Sequence, residues 1–156
     1  DDGKGARKHM RKFMKCGQLF NGLEEIAVPD QTIVIEDDRV SHVGASSDAP
    51  RPGPGDEIID HGSDFVMPGL IDIHVHLSYG NAQANEDIDM YSPPEFRALR
   101  ALYAAQKVLK SGYTSMADPA STGRCTPAVR DAISAGMFLG PRITTSGRQI
   151  TARQGL

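Results

Sequence analysis

The chain has 156 residues, 39% hydrophobic and 24% charged, with a formal net charge of −3; that composition belongs to an ordinary globular protein and excludes disorder and collagen. Its 17 Lys and Arg against 20 Asp and Glu leave no basic field to follow a phosphate backbone, so nucleic acid is disfavoured as a partner. No apolar run approaches the roughly 20 residues that span a bilayer, so no membrane partner is expected either.

Residues 1–12 mix Lys4, Arg7, Lys8, His9, Arg11 and Lys12 with glycine and show no periodicity. They read as a solvated tail or an appended remnant, with Met10 a candidate encoded start. Residues 13–67 read as a small β module of short strands broken by turn residues. Thr32–Ile35 and Arg39–Val43 flank an acidic hairpin turn at Glu36-Asp37-Asp38, and Asn21-Gly22 marks a second turn. Three prolines and two glycines between Asp48 and Gly55 remove too many backbone donors for a helix or central strand, which predicts an exposed loop. Strand character resumes at Ile58-Ile59 and Phe65-Val66.

The period changes at Pro68-Gly69. Leu70–Leu77 reads as a strand, and Ser78–Tyr91 as a polar loop. A helix is expected next, with Ser92 as N-cap, Pro93 in the first position and Glu95 closing a capping box. Phe96, Leu99, Leu102, Tyr103, Ala105 and Leu109 form its predicted buried stripe, and Gly112 its end. Tyr113–Ala117 is a second strand. A second helix opens at Thr126-Pro127, carries Val129, Ala132 and Ile133 on its apolar side and closes at Gly136; Arg142–Ser146 is a third strand. Strand and helix in alternation signal a parallel sheet, so residues 68–156 are α/β.

His74 and His76 stand two positions apart in the expected strand, which aims both imidazoles to one face with Asp72 behind them and leaves Ile71, Ile73 and Val75 to pack under helices. Two neutral imidazoles on one face can share a divalent cation. A His-x-His pair on its own also fits a polar layer or an exposed surface. Ser78 and Tyr79 border the pair without forming a nucleophile and base. Asp118, followed by Pro119, is a turn former that could instead orient a histidine. Arg148 could meet a substrate carboxylate or a surface ion pair. His42 and His61 fit structural or exposed positions. Cys16 and Cys125 lack partners at ligand spacing, so free thiols in a reducing, cytoplasmic compartment are expected.

The string Val66-Met-Pro-Gly-Leu-Ile-Asp-Ile-His-Val-His76, preceded by a small β module, resembles the metal-dependent amidohydrolase superfamily where its β-sandwich joins the first barrel strand. Gly112–Asp118 and Gly140–Arg148 are similar to the family's second and third strands. The likeness is greatest to the branch of prolidase-like, Xaa-amino-acid carboxypeptidase-like and imidazolonepropionase-like hydrolases.

The resemblance implies a β-sandwich-like module leading into a TIM-type (β/α)8 barrel. At roughly 250 residues for a closed barrel, only its first three strands are present here, so a fragment or a defective relative is expected. It implies His74 and His76 as first-strand ligands of one or two zinc-type ions that activate water toward a carbonyl, other ligands lying on later strands. The implied substrate is a small molecule or dipeptide with an amide bond, such as an N-acyl amino acid. Deamination of a heterocycle by the same metal chemistry, and a non-catalytic binding or assembly module, are the alternatives. Self-association stays open. At 150–156, Arg153 and Gln154 stand where many relatives have a Gly-Gly-His loop, so nothing is carried over there.

Overall fold

A computed structural model of the chain describes residues 10–80, 82–150 and 152. Residues 1–9 of the expected tail, and Arg153 and Gln154, lie outside them. Backbone contacts divide the chain into two units, Asp1–Pro68 and Gly69–Leu156.

In the first unit, four strands, β1 (Arg11–Leu19), β2 (Val28–Glu36), β3 (Arg39–Ala45) and β4 (Glu57–Val66), form one mixed sheet in the order β3-β2-β1-β4. β1 runs antiparallel to β2 and parallel to β4. It begins at Arg11, so Arg11 and Lys12 belong to the sheet and not to a tail. The acidic turn forms as expected, with Glu36 opposite Arg39 and Asp37 at φ 56°, a left-handed conformation that a short polar side chain tolerates. β1 shifts register between Cys16 and Gln18. Gly17 sits in that bulge because a Cβ there would collide with the Gly62 carbonyl of β4. Phe13, Cys16, Leu19, Thr32 and Val34 are buried. The proline and glycine loop is tied back by Asp56, which accepts from the backbone N–H of Gly53 (2.7 Å) and pairs with Arg11 (2.7 Å). Among the described residues this unit holds a single sheet, not two facing ones.

In the second unit, β5 (Leu70–Asp72), α1 (Asn85–Asp89), α2 (Pro94–Lys110), β6 (Tyr113–Asp118), α3 (Cys125–Ser134) and β7 (Arg142–Thr145) build a three-stranded parallel sheet, β5-β6-β7. The alternation of strand and helix is the expected one. Its core is Leu77, Ala101, Ala105, Met116, Val129 and Ile143, with Val75, Leu102 and Ile133 packed against them. Gly69 brings the chain in beside β6 so closely that any Cβ would meet the Thr114 side chain. Gly112 and Gly136 follow α2 and α3 at φ 93° and 73°, the left-handed geometry that ends a helix.

Three local expectations are corrected. First, β5 stops at Asp72, and beyond it the ladder continues only as Val75 N–H to the Ala117 carbonyl (3.0 Å). The Asp72 carboxylate takes the His74 N–H instead (3.0 Å). With the ladder interrupted, Ile71 and Ile73 are exposed and only Val75 packs into the core. Second, Ser92 does not cap α2. Pro93 holds the N-cap position without a side-chain bond, because the Ser92 hydroxyl donates to the Asp87 carbonyl (2.8 Å) and accepts from Arg100 (2.6 Å). Third, of the expected stripe of α2, Ala105 is buried beside Ala101 and Leu102 packs against the core, while Phe96, Leu99 and Tyr103 are exposed. At 3.6 residues per turn those three side chains centre roughly opposite the alanines. The small alanines let the helix lie close to the sheet, and the larger stripe faces away.

Candidate functional site

The end of β5 and the loops after β6 and β7 supply the candidate site. Past Asp72 the chain carries His74 and His76 forward, and Leu77, buried at their base, anchors the turn Leu77–Tyr79. The two imidazoles meet: Nε2 of His74 lies 3.2 Å from Nε2 of His76, with the rings nearly perpendicular at 77°. His74 is exposed and His76 half-buried. Nδ1 of His76 is 2.8 Å from the Ala120 carbonyl oxygen. A carbonyl only accepts, so Nδ1 carries the proton and Nε2 offers its lone pair. The contact with His74 is then an N–H···N bond donated by His74. On its other side the His76 ring stacks on Tyr79 (4.8 Å between centroids, 16°), whose hydroxyl donates to Gln149 (2.5 Å).

Asp118 lies at the C-terminal end of β6 and is 1% exposed. One oxygen accepts from Ala120 N–H (3.1 Å), and the other from Leu77 N–H (3.2 Å) and the Thr126 hydroxyl (2.8 Å). Burial pushes its carboxyl above the usual carboxylate range, against the pull of those three bonds. It forms the expected turn but touches neither imidazole. The ring acceptor is the Ala120 carbonyl, which sequence reasoning missed because every residue carries a carbonyl. Gln149 also escaped it, and Tyr79 was noticed only as a neighbour. Ser78, fully buried, accepts from Thr122 N–H (3.0 Å).

The remaining candidates fall elsewhere. Arg148 is exposed and lines a cleft with Arg124, Pro127 and Asp131, with no ion pair among the described residues. His42 and His61 lie in the first unit; His42 buries its Nε2 and His61 pairs with Asp64 (2.8 Å). Cys16 and Cys125 are buried free thiols. His74 and His76 are the residues whose nitrogens could hold a metal; among the described residues they are joined by no third His, Cys, Asp or Glu at ligating distance. No helix among the described residues is long and apolar enough to cross a membrane.

A parallel strand and helix unit with paired histidines just past its first strand defines the class, and the comparisons give the family. Residues 65–153 match the profile of the Amidohydrolase family, more than half of the chain, and the protein belongs to that family. It is similar to imidazolonepropionase of Idiomarina loihiensis, 41% identical over 59 residues, which cover 38% of this chain and 14% of that protein. It is similar to adenine deaminase of Paracoccus denitrificans, 36% identical over 67 residues, covering 43% and 11%. Among solved structures, a Xaa-Pro dipeptidase with bound methionine superposes with a TM-score of 0.80 at 27% identity, over 90% of this chain and 34% of that one. The chain thus spans about a third of that dipeptidase and less of the curated relatives.

Proposed function

We propose that this chain is the N-terminal portion of a metal-dependent hydrolase of C–N bonds, with His74 and His76 as two of the ligands of a divalent cation. The observation that carries the reading is the convergence of the two Nε2 atoms to 3.2 Å. Two Zn–N bonds of 2.0–2.1 Å at a tetrahedral angle separate their nitrogens by about 3.3–3.4 Å, so the pair already has the spacing a shared ion requires. The donor set agrees, because the Ala120 carbonyl holds the proton of His76 on Nδ1 and away from the ligating nitrogen. His74 has to move its Nε2 proton to Nδ1 for Nε2 to face a cation, a change of tautomer with no net release of a proton.

A divalent ion held by His74 and His76 would supply Lewis acidity toward a carbonyl and would lower the pKa of water toward neutrality. The chain's own part is to hold the imidazoles. Asp72 fixes the backbone of His74, and Tyr79, stacked on His76 and tied to Gln149, limits rotation of that ring. On this reading the other ligands and the proton-transfer group lie on further strands of a TIM-type barrel, and the N-terminal sheet is part of a separate β-sandwich-like module that leads into it. The favoured substrate class is a small amide, an N-acyl amino acid or dipeptide, in keeping with the dipeptidase likeness. A heterocycle deaminase is the second reading, favoured by the adenine deaminase likeness.

Metal per chain and chelator-sensitive hydrolysis of N-acyl amino acids, dipeptides and aminopurines, measured on the intact protein and on His74→Ala/His76→Ala, test the proposal. Loss of metal and of turnover in the double variant is expected. Undiminished metal content in that variant defeats it, and release of ammonia from the purines alone selects the deaminase.

A further inference from the structure

The segment from Asp118 to Thr122 is held from both sides. From the β7 side, Ser146 N–H donates to the Asp118 carbonyl (3.1 Å), the Ser146 hydroxyl to the Pro119 carbonyl, and Ser121 N–H to the Gly147 carbonyl (2.8 Å). From the β5 side, the Ser78 hydroxyl accepts Thr122 N–H, and Leu77 N–H reaches the Asp118 carboxylate. Asp118 joins the segment that carries the histidines to the segment that accepts the His76 proton: one oxygen holds Ala120, whose carbonyl takes that proton, and the other holds Leu77, the next residue after His76.

We propose that Asp118 is a positioning residue for the histidine pair, setting the tautomer and orientation of His76 through Ala120 and Leu77. The geometry requires a carboxylate. Both oxygens act as acceptors for three buried donors, and an amide can offer only one oxygen. In Asp118→Asn, an NH2 group on the Ala120 side opposes the Ala120 N–H. On the other side Thr126 can reverse its hydroxyl, but Leu77 N–H cannot reverse. Either way one of the two backbone segments that aim His76 is pushed off, so Nδ1 loses its fixed acceptor and the ring samples both neutral tautomers. Thr126→Val removes the hydroxyl alone and leaves both backbone bonds, so it loosens α3 without releasing His76.

The consequence for a cation rests on the metal-ligand reading above; the tautomer does not. The test therefore has two arms, run on the folded intact protein and on both variants. Imidazole 15N shifts report the His76 tautomer in chelator-treated protein, and competition with a chromophoric chelator reports zinc affinity. In wild type the protonated nitrogen is expected to be Nδ1. In Asp118→Asn, averaged 15N shifts and zinc affinity lower by about 10–100-fold are expected, with both near wild type in Thr126→Val. Wild-type tautomer and affinity in a folded Asp118→Asn overturn the inference while leaving the metal site standing. Failure of wild type to bind zinc removes the proposed function instead, and the tautomer arm alone then decides the role of Asp118. If Asp118→Asn does not fold, averaged His76 15N shifts in Thr126→Val, against the single tautomer of wild type, overturn the inference, since the hydroxyl touches neither backbone segment.

Discussion

Each unit of the chain contains an aspartate that gathers three hydrogen bonds, and the two respond to protonation in opposite directions. Asp56, in the N-terminal sheet, accepts from the Arg11 guanidinium (2.7 Å), Gly53 N–H (2.7 Å) and Arg11 N–H (3.3 Å). Its carboxyl is lowered to about 2, chiefly by the guanidinium bond. Asp118, beside the histidines, accepts three bonds of similar length from neutral donors, and burial raises its carboxyl instead. Bond number does not separate them. Burial weighs most on Asp118, which no cation touches among the described residues, whereas at Asp56 the guanidinium bond outweighs burial. The N-terminal carboxylate holds a loop with charge to spare, whereas the C-terminal one is kept in place by the surrounding fold at an electrostatic cost. That cost falls when a positive charge arrives near His76.

The largest effect expected from this difference is that of deleting each carboxylate. Asp118→Ala leaves Leu77 N–H, Ala120 N–H and the Thr126 hydroxyl without an acceptor in a buried place, at about 1–3 kcal/mol for each group left unpaired. A loss on the order of 3 kcal/mol in urea unfolding is expected, partly relieved by any water that enters. Asp56→Ala should cost clearly less, because water can reach the loop it holds. Equal losses for the two variants would erase the distinction between a charge-paired and a buried carboxylate.

A smaller effect separates the two by pH. Asp56 has a folded pKa below the unfolded value of about 3.9, so its contribution is complete above that value and disappears as pH falls toward about 2. Asp118 has a folded pKa above the same reference, so its contribution is complete below pH of about 3.9 and is lost as pH rises through the folded pKa. Urea midpoints followed by amide signals from each unit, in chelator-treated protein, should show the N-terminal unit weakening toward acid. The Asp118 contribution to the C-terminal unit should run the other way. Arg11→Met should reduce the acid slope of the first unit by raising the Asp56 carboxyl, while the Gly53 and residue-11 N–H bonds to Asp56 and the His61-paired Asp64 keep part of it. An undiminished slope in Arg11→Met would locate the acid sensitivity in a group other than the Arg11–Asp56 pair.

The same contrast governs what could be read from the residues alone. The hairpin at Glu36-Asp37-Asp38, the glycine stops at Gly112 and Gly136 and the pairing of His74 with His76 were legible, because each depends on local backbone rules. The network around the histidines was not. It uses the Ala120 carbonyl and the Leu77 and Ala120 N–H groups, which have no side-chain signature, and Gln149, 70 residues from its partner Tyr79. Ser92 misled for a related reason: a good capping residue was taken by Arg100, a partner that only the folded chain brings near.

The smallest effect tests the exposed stripe of α2. Hydrophobic periodicity placed Ala105 and Leu102 correctly but widened the stripe to Phe96, Leu99 and Tyr103, because alanine carries little hydrophobic signal and yet is what lets a helix sit close to a sheet. Leu99 is 65% exposed and Ala101 0%. Leu99→Gln removes apolar surface that lies outside the core of the second unit and keeps good helix propensity, so its stability should change by no more than about 0.5 kcal/mol. A loss of about 2 kcal/mol or more, the size of a core truncation, would mean that the Phe96, Leu99 and Tyr103 stripe is covered in solution. Sedimentation of the same variant against wild type would then tell whether a second copy of the chain covers it.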